Sequence, residues 1–183
     1  MIKNQRAKKL PLASQMLKIS FTVLLLVISL PAFAEEEANN KKQNVGENTG
    51  LPIPRFASLK SSNVNARSGP GDSYPIKAVY KRAGLPVEIV SEFKLWREIA
   101  DVEGEHNWVH KAMLSGKRTA ILKEDSFAYT SASSKTATAK LEKGAQIHID
   151  ECEQSYCLMN VDSAKGWIEK SKLWGVYPNE IFD

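Results

Sequence analysis

The sequence predicts an all-β protein with two small β-barrels in tandem, and three observations support this. After residue 54 the chain consists of short β-branched and aromatic runs separated by Gly, Pro, Asn, Asp and Ser, a pattern typical of small sandwiches and barrels. No stretch after residue 35 has a convincing 3.6-residue apolar period. The pattern recurs with a period of about 60 residues, so each copy should form one compact, partly open barrel of five to six strands.

The first 34 residues have the parts of a secretory signal peptide. They contain five basic residues, no acidic residue, and a 12-residue apolar run from Ile19 to Leu30 that is followed by Pro-Ala-Phe-Ala. A membrane anchor is the alternative, but spanning a bilayer takes roughly 20 apolar residues. We therefore expect cleavage after Ala34, a periplasmic or secreted protein, and contact with the membrane only before cleavage.

The net charge of +4 belongs to this leader. Without its five basic residues the chain has 20 basic and 21 acidic residues. A nucleic-acid-binding domain needs a basic patch in its folded part, so no nucleic-acid partner is predicted.

The remaining chain divides into three parts by composition. Residues 35–53 are polar and predict a disordered spacer. Residues 54–116 form the first predicted barrel, and residues 117–183 form the second with a C-terminal extension. The proline-containing strip Leu51–Arg55 either begins an edge strand or docks as an extended segment in a groove of the first barrel.

The two copies align through their turns and tryptophans. Gly84 and Gly144 each open an alternating strand, and Trp108 matches Trp167. The same alignment places Trp96 opposite Cys157 in the repeat. A β-bulge near Glu98 is expected to bring Trp96 and Ile99 to one face of their strand.

The run from Val64 to Gly71, the strand opened by Gly84, and Trp108-Val109 resemble the bacterial SH3-like (SH3b) domain. The Trp-Gly-Val-Tyr-Pro segment from Trp174 to Pro178 is similar to the end of the second domain in the exported alphaproteobacterial type, which has two such domains in tandem. The second copy departs from the motif, since Ala128 to Ser134 replaces the Gly-Pro-Gly turn. The resemblance implies non-catalytic recognition in the cell envelope. Its first candidate ligand is peptidoglycan, through the stem peptide or the glycan; the alternative is an adaptor that binds an extended or proline-containing segment of an envelope or secreted protein.

Four residues of the first copy are candidate ligand contacts. Arg67 stands beside Gly69 and can offer a guanidinium to an anion. The alternative is a purely structural turn, in which the glycines allow positive φ and Pro70 presets φ. Tyr74 and Trp96 are groove candidates because polar residues surround them. Trp108 is either a ligand contact or a core residue.

Cys152 and Cys157 predict a disulfide that clamps the end of a hairpin, since the chain is expected to be exported. A redox pair is disfavoured because the Cys-x-x-Cys motif is absent. A catalytic thiol is disfavoured because pairing removes the free thiol.

No catalytic residue, metal site or cofactor is predicted. The spacing of His106, His110 and His148 matches no standard zinc pattern. Acidic pairs such as Glu103 and Glu105 lie in polar turns, where no cleft is expected to place them across one bond. The sequence therefore predicts a binding protein and not an enzyme.

Overall fold

The computed structural model describes residues 44–162 and 164–183. The predicted signal peptide and the first part of the predicted spacer lie outside these residues. Within them, no helix has the length and apolar character needed to cross a membrane.

The first barrel is one antiparallel sheet of seven strands in the order β3-β2-β6-β5-β4-β1-β7. A short 3-10 helix, Lys111–Met113, precedes the last strand. The strands are β1 Arg55–Leu59, β2 Val64–Arg67, β3 Ile76–Tyr80, β4 Pro86–Phe93, β5 Trp96–Ala100, β6 His106–His110 and β7 Leu114–Ser115.

The second barrel repeats this topology in the order β10-β9-β13-β12-β11-β8-β14. Its 3-10 helix is Lys170–Lys172. The strands are β8 Thr119–Leu122, β9 Ser126–Tyr129, β10 Ala137–Leu141, β11 Gln146–Cys152, β12 Tyr156–Val161, β13 Ala164–Glu169 and β14 Leu173–Trp174.

The prediction of two tandem all-β units is confirmed. Each sheet has seven strands, rather than five to six, because a two-residue strand follows each 3-10 helix and pairs with the first strand of its barrel. Strands this short carry no apolar alternation, so the sequence pattern does not show them.

Each sheet curls around its own apolar core. The first core includes Leu59, Val64, Val87, Ile99 and Val109. The second includes Leu122, Ile147, Met159, Ile168 and Leu173. Alternate residues of each strand point inward, and each fully buried Val, Leu or Ile contributes roughly 1.5–3 kcal/mol of burial free energy.

A bulge is present, but in β4 rather than β5. The β4–β5 register shifts between Ile89 and Ser91, whereas β5 pairs with β6 without a shift. Because β5 is regular, Trp96 and Ile99 lie on opposite faces, and the expectation that they share one is wrong. The β11–β12 pair has the same shift between Ile149 and Glu151.

These registers also correct the repeat alignment. Glu92 pairs with Arg97 at the end of one hairpin, and Cys152 pairs with Cys157 at the same place in the other. Trp96 therefore corresponds to Tyr156 and not to Cys157. The disulfide of the second barrel occupies the position of an ion pair in the first.

Residues 44–53, which the sequence assigns to a disordered spacer, are ordered. Val45 forms a bridge with Pro52, and the turn between them closes over Glu92. The carboxylate of Glu92 accepts hydrogen bonds from the backbone N–H groups of Asn48 and Thr49, both at 3.1 Å. Polar contacts therefore order a segment that has too few apolar side chains to do so.

The proline-containing strip continues directly into the barrel. Ile53 packs against the first core, and Arg55 begins β1. This agrees with the interpretation of the strip as the start of a strand, but β1 is not an edge strand, because it pairs with both β4 and β7.

Candidate functional site

The outer face of the first barrel, opposite its core, brings the predicted ligand contacts together. Trp96 lies between Phe93 and His110 as their cross-strand partner. Trp108 lies between Glu98 and Arg67 in the same way. Directly opposed residues of an antiparallel pair project to the same face. We call the set formed by Arg67, Tyr74, Phe93, Trp96, Trp108 and His110 the outer patch.

Arg67 fixes one side of the outer patch. Its Nη1 donates a hydrogen bond to the carbonyl oxygen of Tyr74 at 2.7 Å, and its Nη2 lies 3.6 Å from a carboxylate oxygen of Asp72. Its guanidinium carbon lies 6.0 Å from the ring centroid of Trp96, within the range of a cation–π contact. The guanidinium thus closes the turn that ends at Tyr74 and also contacts the aromatic surface.

Gly69 is required by the ring of Tyr74. A Cβ atom at Gly69 would lie 2.3 Å from Cδ1 of that ring. Among the described residues, neither Gly69 nor Gly71 has positive φ, so the expectation that these glycines serve to allow positive φ is wrong. They leave room for Tyr74 to lie across the turn.

The tryptophans of β5 and β6 do not belong to the apolar cluster of the first barrel, although Trp96 is itself a buried residue. Trp96 is 9% exposed and meets His110 edge-on, with 5.5 Å between ring centroids. Trp108 is half-buried and is not part of the first core. Core packing, one of the two roles considered for Trp108, is therefore wrong, because the β6 register points its side chain outward.

His110 belongs to the outer patch, although the sequence suggested it only as a poor metal ligand. Its Nδ1 accepts a hydrogen bond from the backbone N–H of Ala112 at 3.3 Å, so the ring is oriented by its own chain. Its two-residue spacing from Trp108 on a strand was a usable signal, because residues i and i+2 share a face.

Exposed aromatic rings form the rim of the outer patch. Tyr74 is 45% exposed and Phe93 is 43% exposed. The Nζ of Lys94 lies 5.3 Å from the ring centroid of Phe93. Aromatic rings beside cations can stack on flat apolar surfaces and also attract carboxylates.

A separate cavity lies beside the second barrel. It is a cleft of about 610 Å³ whose walls include Phe56, Tyr156, Lys170, Trp174 and Pro178. We call it the C-terminal cleft. Because Phe56 comes from β1 and the other walls come from the second barrel, the cleft depends on how the barrels meet, which the sequence does not reveal.

Lys170 organises the C-terminal cleft and is buried. Its Nζ donates hydrogen bonds to the carbonyl oxygens of Gln154 at 3.1 Å and Glu180 at 2.7 Å, and also to that of Glu153. Burial lowers the pKa of its ammonium, and the carboxylate of Glu180 only partly opposes this. The ammonium thus ties the C-terminal extension to the β11–β12 hairpin.

The described residues contain no group of three or more His, Cys, Asp or Glu side chains placed to hold a metal ion. His106 lies 3.5 Å from the carboxylate of Glu98. Glu103 and Glu105 are exposed.

A family model described as the bacterial SH3 domain matches residues 60–116 and 127–175. The two matches together cover more than half of the chain and fall on the two barrels. The chain belongs to the bacterial SH3 domain family. The resemblance inferred from the Val64–Gly71 motif is therefore confirmed.

Similar solved structures include NlpC2 and NlpC1 of Trichomonas vaginalis. NlpC2 has a TM-score of 0.31 and 15% identity over 66% of this chain and 48% of its own. NlpC1 has a TM-score of 0.30 and 14% identity over 70% of this chain and 48% of its own.

An NlpC/P60 family protein of Bacillus cereus has a TM-score of 0.30 and 10% identity over 65% of this chain and 55% of its own. The chain spans about half the length of these three structures. No curated protein matches it.

The second SH3 domain keeps little of the outer patch. Trp167 occupies the position of Trp108, but its partner on β9 is Tyr129 where the first domain has Arg67. By the same registers, Tyr156 replaces Trp96 and Glu169 replaces His110. The guanidinium of Arg67 and the imidazole of His110 thus have no counterpart in the second SH3 domain, so the two SH3 domains present different chemistry.

The predicted disulfide is present in the second SH3 domain. Cys152 and Cys157 are directly opposed on β11 and β12, with 4.1 Å between their Cα atoms. Both are fully buried in the second core. The backbone of Cys152 also exchanges two hydrogen bonds with Phe182, so the disulfide lies beneath the C-terminal extension.

Proposed function

We propose that this protein is a non-catalytic, cell-wall-associated binding module of the bacterial envelope, and that its outer patch holds peptidoglycan. Membership of the bacterial SH3 domain family supports a wall-associated module. The predicted signal peptide at residues 1–34 would deliver it to the periplasm or outside the cell. The observation that carries the proposal is the continuous aromatic and cationic outer patch.

The chemistry of the outer patch suits a chain of sugars and short peptides. Phe93 and Tyr74 offer exposed rings for stacking, and Arg67 and Lys94 place positive charge beside them. Because Arg67 is already held by Tyr74, little side-chain entropy is lost when a ligand binds. Preorganised aromatic and arginine groups are frequent binding hot spots.

Binding without catalysis is supported by the side chains available. Neither cysteine within the described residues has a free thiol. His106 and His110 contact a carboxylate and a backbone N–H group, respectively. A hydrolase needs a nucleophile, a base and an orienting group in one place, and in these contacts of the described residues neither imidazole has a hydroxyl or a thiol as its partner.

Cosedimentation with insoluble peptidoglycan over a salt series tests the proposal. The wild-type protein should be retained saturably, and Tyr74→Ala or Phe93→Ala should weaken retention about tenfold, a loss of about 1.4 kcal/mol. Phe127→Ala is the matched control, because Phe127 is 46% exposed on β9. No retention above a denatured control, or equal losses in all three variants, would refute the proposal.

The C-terminal cleft favours a second function, that of a protein adaptor. Its aromatic walls, Phe56, Tyr156 and Trp174, resemble the aromatic-lined grooves in which proline-containing extended segments dock. An adaptor should copurify with one defined envelope polypeptide, and Trp174→Ala should abolish that while leaving peptidoglycan retention unchanged.

A further inference from the structure

Strand β3, Ile76–Tyr80, is an open edge of the first sheet. Within the described residues it pairs only with β2, so the backbone N–H and C=O groups on its other side face no neighbouring strand. We call this side of the strand the β3 edge. A strand edge of this kind is a template to which another extended segment can add.

Two exposed apolar side chains lie along the β3 edge. Ile76 is 48% exposed and Val79 is 39% exposed. Their partners on β2 are Arg67 and Asn65, and directly opposed residues share a face. Both apolar side chains therefore project from the outer face of the sheet, where the side chains of an added strand would meet them.

The corresponding edge strand of the second SH3 domain lacks these side chains. In β10, Ala137 is paired as Ile76 is, and Lys140 is paired as Val79 is. Both strands have five residues and a register shift after the first one, so the difference lies in the side chains. Lysine on an edge strand protects it against strand addition, and β10 has this protection where β3 has valine.

The outward side of β3 and of the turn after it is cationic. Lys77, Lys81 and Arg82 are exposed, and no salt bridge of the described chain includes any of them. Between residues 72 and 88 the sequence has no acidic residue. Asp101 meets this strand from the core side, where its Oδ2 accepts a hydrogen bond from the hydroxyl of Tyr80 at 2.9 Å.

A second copy of the chain is a poor occupant of the β3 edge. Antiparallel pairing of two β3 strands would bring together the three cationic side chains of each copy. Like charges on facing strands are destabilising. A partner that carries carboxylates would instead be attracted to this edge, because its charge is complementary.

We propose that the β3 edge is the docking site for an extended acidic segment of a partner polypeptide, which adds to the first sheet as a further strand. The segment would form main-chain hydrogen bonds with β3 and place apolar side chains against Ile76 and Val79. Its carboxylates would pair with Lys77, Lys81 and Arg82. Strand addition gains affinity from the backbone and specificity from alternate side chains. This interaction does not depend on peptidoglycan binding at the outer patch.

Nuclear magnetic resonance titration of the ¹⁵N-labelled protein with three peptides tests this. The first is acetyl-Glu-Val-Thr-Val-Thr-Val-Glu-amide, the second has lysine in place of glutamate, and the third has proline in place of threonine, which removes backbone donors. The first should cause saturable shifts at Ile76–Tyr80, and the other two should bind at least tenfold more weakly. Equal affinity for all three, shifts confined to the outer patch or the C-terminal cleft, or no saturable shift would overturn the proposal.

Variants of the two edge strands separate side-chain contact from charge. Val79→Lys should weaken binding of the acidic peptide at least tenfold, although its added charge alone would strengthen binding. Because Val79 is exposed, the variant should stay folded, with its spectrum unchanged away from β3. Ala137→Lys on β10 is the matched control and should bind as the wild type does. Lys81→Gln should weaken binding and reduce its dependence on salt.

Unchanged affinity in Val79→Lys would contradict the proposal. A dimer of the wild-type protein that Val79→Lys dissociates would assign the β3 edge to a second copy and would also overturn it. Peptidoglycan retention should be the same in Val79→Lys as in the wild type. Failure of strand addition is therefore distinguishable from failure of the proposed peptidoglycan function.

Discussion

The ring of Tyr74 lies where the side chain of any residue but glycine at position 69 would be. A Cβ atom at Gly69 would approach the ring to 2.3 Å, whereas at Gly116 nothing lies within 4 Å. Tyr74 is an exposed residue at the rim, so it can be displaced without disrupting the first core. The shape of the outer patch therefore depends on one missing methyl group.

Gly69→Ala should lower the free energy of unfolding by about 1 kcal/mol and weaken peptidoglycan retention as much as Tyr74→Ala does. Gly116→Ala should change neither quantity. Urea denaturation and cosedimentation measure both effects. Normal retention in Gly69→Ala would show that the position of Tyr74 is irrelevant to binding.

Glu92 is the charged residue on which the closed end of the first barrel depends. Its carboxylate accepts hydrogen bonds from Arg55 at 2.7 Å and from the hydroxyl of Thr49 at 2.7 Å, and Arg97 lies 3.4 Å away. Burial acts to raise the pKa of Glu92, but the hydrogen bonds from Arg55, Thr49 and Asn48, together with the charge of Arg97, outweigh it and hold the pKa below its usual value of 4.5.

A lowered pKa in the folded state makes Glu92 stabilising above about pH 4.5, and this stabilisation is lost as the pH falls through the folded-state pKa. Glu92→Gln should therefore be about 2 kcal/mol less stable at pH 7 and should lose less stability than the wild type between pH 5 and pH 3. Urea denaturation across this range measures it. The remaining acid sensitivity should come partly from Glu180, whose pKa Arg118 also lowers against the effect of burial. Parallel pH profiles for both proteins would refute this role of Glu92.

At this scale the sequence identified members of the outer patch but not the ion-pair cluster. Arg67, Tyr74, Trp96 and Trp108 were nominated by residue type and turn position, and the structure places them on one face; whether they bind a ligand stays a prediction. The cluster at Glu92 depends on which strands pair and on the return of residues 44–52 over the barrel end. Neither the strand pairing nor the return of residues 44–52 can be recognised from the local sequence pattern.

At the scale of elements, each barrel closes one end with a terminal segment. An arginine just before or at the first strand holds it in both cases. Arg55 binds Glu92 beneath the turn of residues 44–52. Arg118 forms a two-pronged pair with Glu180 in the C-terminal extension and also donates to the carbonyl oxygen of Gly175 at 2.9 Å. The β4–β5 hairpin beneath the first segment carries the Glu92–Arg97 ion pair. The β11–β12 hairpin beneath the second carries the Cys152–Cys157 disulfide.

Reduction of the Cys152–Cys157 disulfide should lower the free energy of unfolding by about 2 kcal/mol or less, since it closes a short loop. Chemical denaturation with and without reductant measures this. Peptidoglycan retention should survive reduction, because the outer patch lies in the other barrel. Two free thiols in the denatured, unreduced protein would contradict the disulfide itself.

The bulges in β4 and β11 show why the positions of the strands could be predicted from the sequence, whereas the face on which each side chain lies could not. Alternation in β4 and β11 identified both strands, but a bulge changes the face without changing composition. A one-residue error in the repeat alignment moved the disulfide from the position of Arg97 to that of Trp96. The correct alignment follows from the register of strand pairing, which is known only when the partner strand is known.

At the scale of the whole molecule, the barrels meet through aromatic and polar contacts. Phe56 of β1 lies 5.3 Å from the ring of Trp174 and 4.7 Å from that of Tyr177. The hydroxyl of Tyr177 donates a hydrogen bond to Glu88 at 2.7 Å, and burial together with this carboxylate raises the pKa of Tyr177. The tandem arrangement followed from the repeat, but this interface did not, because its residues fit no local motif.

Phe56→Ala should loosen the two barrels from each other. Each aromatic pair that it removes contributes roughly 0.5–1.5 kcal/mol beyond area burial. ¹⁵N relaxation should show one common tumbling time in the wild type and shorter, separate times in the variant. Phe127→Ala, which removes an exposed ring, is the control. A common tumbling time in Phe56→Ala would show that other contacts suffice to hold the barrels together.

A map of peptidoglycan contacts on the whole protein tests directly whether the outer patch is the binding site. ¹⁵N spectra would be recorded while soluble peptidoglycan fragments are added to the wild-type protein. If the outer patch binds peptidoglycan, saturable shifts should appear at Arg67 to Tyr74 and along the outer faces of β5 and β6, with β9, β12 and β13 unaffected. Shifts confined to the second barrel, or none at saturating fragment, would contradict it.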